Sequence, residues 1–208
     1  MAADLAGLVS TFGWQALSKL SNPAVHGEPE DQLRAPLEGF VAGLASLCGF
    51  REGDVSAVGE SHLSDLKTRR DYAVTVRKAL VGFIEVKAPG QGADPRRYRD
   101  RHDRLQWEKL QSLPNLLHTD GNAFSLWRNG ELADGVVHLI GDVETSGAAL
   151  SAPSSLAGAL RGFLPLAAAA PTDAQAAGRD ERAALSPVTG RSSGATRSQQ
   201  SGAGRFAD

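Results

Sequence analysis

The stretch "DYAVTVRKALVGFIEVKAPG", Asp71 to Gly90, decides the fold. "DYAVTVR" alternates and is rich in β-formers; "KAL", at about 78–80, turns the chain, and "VGFIEVK" returns as its antiparallel partner. Side chains alternate across a strand, so Glu85 and Lys87 share a face with Phe83, while Ile84 and Val86 point the other way. One face is apolar and the other ends in a charged pair. Pairing through the turn sets Asp71, at the start of the first strand, beside the end of the second. Two carboxylates and a lysine are therefore expected at one sheet edge.

Two hard oxygen ligands suit Mg²⁺, with Mn²⁺ as the alternative, because Mg²⁺ keeps several waters and takes only one or two protein carboxylates. A cation so held polarises a phosphoryl oxygen and lowers the pKa of a bound water. A lysine on the same face orients that water or stabilises charge that develops in the transition state. Asp71, Glu85 and Lys87 thus have the parts for phosphodiester hydrolysis. Spacing alone leaves a second reading open, in which Glu85 and Lys87 are a solvated strand face and Asp71 a turn residue.

Outward from this hairpin, apolar spacing predicts helices over 4–21 and about 30–48, the latter capped by Gly49. "VGESHLSDLK", 58–67, reads as a short helix or an ordered loop. After the loop "APGQGADP", a charged helix is expected from about Pro95 to Leu113, ended by Pro114. "NLLHTD" and "AFSLWR" flank Gly121-Asn122, and Asn129-Gly130 signals a two-residue hairpin into "ELADGVVHLI". A last amphipathic helix fits about 154–164. The fold class is α+β, or mixed α/β. The organisation expected is a helical segment at 1–52, a core at 53–165 and a tail at 166–208, whose Ala, Gly, Ser, Arg and Gln composition predicts disorder.

The 208 residues carry a net charge of -2, so bulk electrostatics selects no partner. A single cysteine, Cys48, excludes an internal disulfide and fits a reducing cytoplasm. No signal peptide and no membrane span are read from the sequence. The histidines lack zinc-ligand spacing, and "PGQGADP" lacks the ending of a phosphate loop.

"VGESHLSDL", "DYAV", "GFIEVKAPG", "QWEKLQSLPNLLHTDGN" and "SLWRNGEL" together resemble the PD-(D/E)xK nuclease superfamily. More narrowly, they resemble the N-terminal nuclease domain of single-chain restriction–modification enzymes (Type IIG and ISP-like), which precedes a DNA adenine methyltransferase. The resemblance implies a restriction-endonuclease-like central sheet flanked by helices. It implies that Asp71 and Glu85 bind metal, that Lys87 is the catalytic lysine, and that Glu60 is a further metal ligand of the kind some members supply from a preceding helix. Gln106 matches a glutamine often found on the helix after the lysine strand. Arg70 replaces the proline usual before the first aspartate.

The run "RRYRDRHDR" holds five arginines, Arg96, Arg97, Arg99, Arg101 and Arg104, placed to contact DNA phosphates or to sit on a solvated helix. Trp107 and Trp127 read as packing residues. The chain has neither a glycine-rich cofactor strand nor an Asn-Pro-Pro-aromatic loop, so it is expected to be a fragment or truncated form without the methyltransferase region. The expected function is a cytoplasmic, metal-dependent endonuclease acting on double-stranded DNA, with a methyltransferase or specificity region or subunit as a further partner. The alternative is an inactive, nuclease-derived module that binds DNA or protein.

Overall fold

The computed structural model describes residues 4–22, 27–63 and 68–164, leaving the side chains of 60–63 and 68–70 undescribed. The tail expected from 166 onward lies outside the described residues. The described elements are helices α1 (Leu5–Leu20) and α2 (Pro29–Leu47), then strands β1 (Val55–Leu63), β2 (Thr68–Val76) and β3 (Ala79–Val86). A 3-10 turn (Pro95–Arg97) and helix α3 (Arg101–Leu110) come next. Strands β4 (Leu116–Thr119), β5 (Ala123–Arg128) and β6 (Glu131–His138), a second 3-10 turn (Gly147–Ala149) and helix α4 (Leu156–Phe163) complete the series. The six strands form one mixed sheet in the order β1-β2-β3-β4-β5-β6. Every pairing is antiparallel except β3 with β4, which is parallel and is bridged by α3.

Local chemistry explains most of these boundaries. The Asp4 side chain caps α1 by accepting from the Gly7 N–H at 2.6 Å. Proline opens α2, and Glu30 and Asp31 in its first turn complement the helix dipole. The end of α2 is a Schellman motif: Gly49 takes φ +85°, its N–H donates to Ser46 O, and the Phe50 N–H donates to Ala45 O. Asn129 and Gly130 both have positive φ and join β5 to β6 as a tight hairpin.

Three expectations require correction. The segment expected as a short helix or loop at 58–67 is strand as far as Leu63, with 64–67 outside the described residues. It is an edge strand, and among its described side chains Val55 and Ala57 pack against the core. The β2–β3 turn lies at Arg77-Lys78, both at positive φ, because Val76 pairs with Ala79. The helix expected from Pro95 begins only at Arg101. Tyr98 is extended and buried with its hydroxyl donating to Gly92 O at 2.9 Å, and Asp100 then caps α3 by accepting from the His102 and Asp103 N–H groups.

Both faces of the sheet are covered. Tyr72, Val74, Ile84, Val86, Leu117, Phe124 and Leu126 share one hydrophobic cluster with residues of α1, α2 and α4. Phe12, Phe40 and Phe124 meet at its centre, with ring centroids 5.4 to 6.5 Å apart. On the other face Phe83, Leu116 and Trp127 pack with Leu110 and Leu113, and with Trp107 of α3. Among the described residues no helix is long and apolar enough to cross a membrane.

Gly82 sets the height at which β4 joins this sheet. Asn115, one residue before β4, donates to Val81 O at 2.8 Å and to Phe163 O at 3.0 Å, and accepts from the Phe83 N–H at 2.9 Å. A Cβ on Gly82 would lie 2.8 Å from both the Asn115 amide nitrogen and the Phe163 ring, and 2.9 Å from the Asn115 carbonyl oxygen. Gly82→Ala is expected to cost about 1–3 kcal/mol, because overpacking must displace this junction. Urea unfolding measures it, and an unchanged midpoint would contradict the close approach.

Candidate active site

The hairpin brings the charged residues together as its register requires. Tyr72 pairs with Ile84, so the next step along the ladder sets Asp71 beside Glu85. Asp71 is held from two elements: its Oδ2 accepts from the Val86 N–H at 2.8 Å, and its Oδ1 accepts from Arg34 Nη2 of α2 at 2.9 Å. Lys87 lies just past β3, where its N–H donates to Thr119 O at 2.8 Å and extends the parallel pairing with β4. Its ammonium then meets Asp103 Oδ1 at 2.9 Å, Gln106 Oε1 at 2.6 Å and Glu85 Oε1 at 3.3 Å. Gln106 also donates from Nε2 to Glu85 Oε1. An ammonium only donates, so the Lys87 contact fixes the orientation of the Gln106 amide.

These groups line a cleft of about 380 Å³ whose walls include Glu30 and Arg34 from α2, Gln91 from the Gly/Pro loop, and His102 and Asp103 from α3. Glu30 and Arg34 are four residues apart, so both face the same way on α2. Tyr72 donates to Glu38, a further four residues along, at 2.9 Å, and this bond ties that polar stripe to β2. The sequence reading found the apolar stripe of α2 and missed the polar one; the i, i+4, i+8 spacing of Glu30, Arg34 and Glu38 was the available signal. Asp103 and Gln91 were missed as well, because their roles depend on where α3 and the loop dock.

Burial makes the carboxylates hard to ionise. Glu85 is 2% exposed, and its pKa is pushed up to about 8, first by burial and then by the charge of Asp71, against the opposing Lys87 and Gln106 contacts. Burial also raises Asp71, outweighing its bonds to the Val86 N–H and Arg34. Glu30 is raised by burial, with Asp71 among the lesser causes. For Lys87 burial works the other way, but the Glu85 and Asp103 carboxylates outweigh it and lift the ammonium above its ordinary pKa. Lys87 is therefore a cation at neutral pH, suited to holding negative charge and not to removing a proton.

The donor set fits a hard divalent cation. Glu85 Oε2 is buried without a hydrogen-bond partner, and a second carboxylate, Asp71, raises the cost of its charge. A cation between them would relieve both. Among the described residues no group of three or more His, Cys, Asp or Glu is arranged as a metal cluster. Two carboxylates are within what Mg²⁺ takes. Glu60 lies on β1, a strand and not a helix, and its side chain is outside the described residues.

The five arginines are not brought to this cleft. Arg96 and Arg97 pair with Asp94 and line a second cleft of about 390 Å³, which shares Gln91 with the first. Arg99, Arg101 and Arg104 are exposed beside the break before α3 and along its first turn. Trp107 and Trp127 pack edge to face at 4.7 Å, as expected of packing residues. His118, paired with Glu85 across β3 and β4, is buried with neither ring nitrogen bonded. Burial and then the Lys87 charge push it down to about 3, so it stays neutral on the same face as Glu85.

The raised Glu85 has a thermodynamic consequence. The folded chain holds this proton up to about pH 8, whereas the ordinary value is 4.5, so folded protein binds the extra proton between them. Stability of the cation-free chain should therefore fall as pH rises across that window, and Glu85→Gln should flatten the decline. Urea midpoints at about pH 5 and about pH 8.5 measure it; a parent midpoint that rises with pH would contradict the assignment.

No family model matches the chain, and no curated protein matches it. Among solved structures, the cryoEM structure of a DrdV–DNA complex aligns with 75% of this chain at 20% sequence identity and a TM-score of 0.48. The alignment covers 13% of that chain's length.

Proposed function

We propose that the chain is a metal-dependent endonuclease domain that hydrolyses phosphodiester bonds of double-stranded DNA within a restriction–modification system. One observation carries the reading: Asp71, Glu85 and Lys87 line one cleft, with a buried Glu85 oxygen left unpartnered. Asp71 and Glu85 would hold Mg²⁺ or Mn²⁺, which when bound supplies Lewis-acid polarisation of a phosphoryl oxygen and a more acidic water. Arg34 and the Val86 N–H fix the Asp71 carboxylate in place. Gln106 sets the spacing between Glu85 and Lys87. Lys87 presents a positive charge to the oxygens on which negative charge grows as the bond to phosphorus forms. Arg96 and Arg97, which line the neighbouring cleft, would meet phosphates further along the strand. A methyltransferase or specificity region would be supplied by a longer protein or by a separate subunit.

Purified chain is expected to nick or cut plasmid DNA with Mg²⁺ or Mn²⁺ and to stop when EDTA is added. Lys87→Met and Glu85→Gln should each lower the rate about 10²- to 10³-fold. Cutting by Lys87→Met at the parent rate would remove the lysine from the mechanism. DNA binding with no cutting in either metal would instead favour a nuclease-derived binding module.

A further inference from the structure

The three hydrogens of the Lys87 ammonium face three acceptors, Asp103, Gln106 and Glu85. The two carboxylates are not equal partners: Asp103 lies at 2.9 Å and Glu85 at 3.3 Å. Asp103 is itself buried and braced, because its other oxygen accepts from Gln91 Nε2. Its place on α3 is set by the cap, since the Asp103 N–H donates to Asp100. Asp103 is thus held in place on α3, a different element from either candidate cation ligand.

We propose that Asp103 is a positioning residue that draws the Lys87 ammonium away from a closed ion pair with Glu85. A lysine with Glu85 as its sole carboxylate partner would close onto it and compete with a cation for its oxygens. Asp103 supplies the second and closer anchor, and Gln106 bonds both Lys87 and Glu85. Glu85 Oε2 stays uncovered and Lys87 stays at a fixed reach from the cleft. The Gln91 brace joins this arrangement to the loop that also lines the second cleft. The assignment rests on the nuclease reading for its catalytic meaning, but the hold of Asp103 on Lys87 is a property of the folded chain by itself.

The test uses the full chain in two measurements. The first is acylation by an amine-reactive ester, mapped by mass spectrometry, with the exposed Lys109 as internal reference. Asp103→Asn should raise labelling of Lys87 about tenfold or more, the order that one hydrogen bond to a charged group is worth, and Asp103→Glu should restore much of the protection. Thermal melts of both variants separate this effect from unfolding, which would raise labelling at every lysine. Unchanged Lys87 labelling in folded Asp103→Asn overturns the proposal. The second is cleavage kinetics: Asp103→Asn should lower kcat about 10- to 100-fold with KM for DNA little changed, and add nothing in a Lys87→Met background. An additive loss in that background overturns it too, because Asp103 would then act elsewhere. A parent chain that binds metal and DNA without cutting would defeat the nuclease reading, while the labelling result would still decide whether Asp103 anchors Lys87.

Discussion

The burial of Glu85 and Lys87 under α3 is the constraint that the rest of this face answers to. A carboxylate and an ammonium taken out of water need partners for their remaining hydrogen-bonding capacity, and a bare ion pair seldom supplies them. Here the partners come from α3: Gln106 serves both charges and Asp103 serves the lysine. Helix α3 is therefore docked by polar geometry at one end and by Trp107 and Leu110 packing on Phe83, Leu116 and Trp127 at the other. What is left unsatisfied is Glu85 Oε2. That incompleteness is expected where a ligand completes the set.

The opposite face does the ordinary work of folding. Helices α1, α2 and α4 cover it with aliphatic side chains and three phenylalanines. The two faces meet at the Asp71 end of β2, where the polar stripe of α2 reaches over the sheet edge through Arg34. Helix α2 thus serves both sides: its apolar stripe packs in the larger cluster, while Glu30 and Arg34 line the cleft.

The sequence made the hairpin legible because alternation, turn position and the Glu-x-Lys pair all agree there. Gly49 and Asn129-Gly130 were legible for a similar reason, since positive φ selects few residues. The strand β1 was not, because an edge strand needs no strict pattern, and Val55 to Gly59 are none of them fully buried. The start of α3 was hidden by the arginine run, whose helix propensity says nothing about the buried Tyr98 that keeps the chain extended. Asp103 and Arg34 could be read as surface charges by any local rule. Their partners lie 16 and 37 residues away, and only tertiary docking joins them.

The single parallel pairing in the sheet bears on the order of assembly. The β2–β3 hairpin closes over a two-residue turn, so Asp71 and Glu85 can be neighbours as soon as it forms. Joining β3 to β4 instead requires the long connection through α3 to close, at a greater entropic cost. The carboxylate pair is therefore expected to exist, solvated and relaxed, before the helix that buries it arrives. The charges need not be dehydrated alone: the step that removes water from Glu85 and Lys87 is the same step that delivers Asp103 and Gln106.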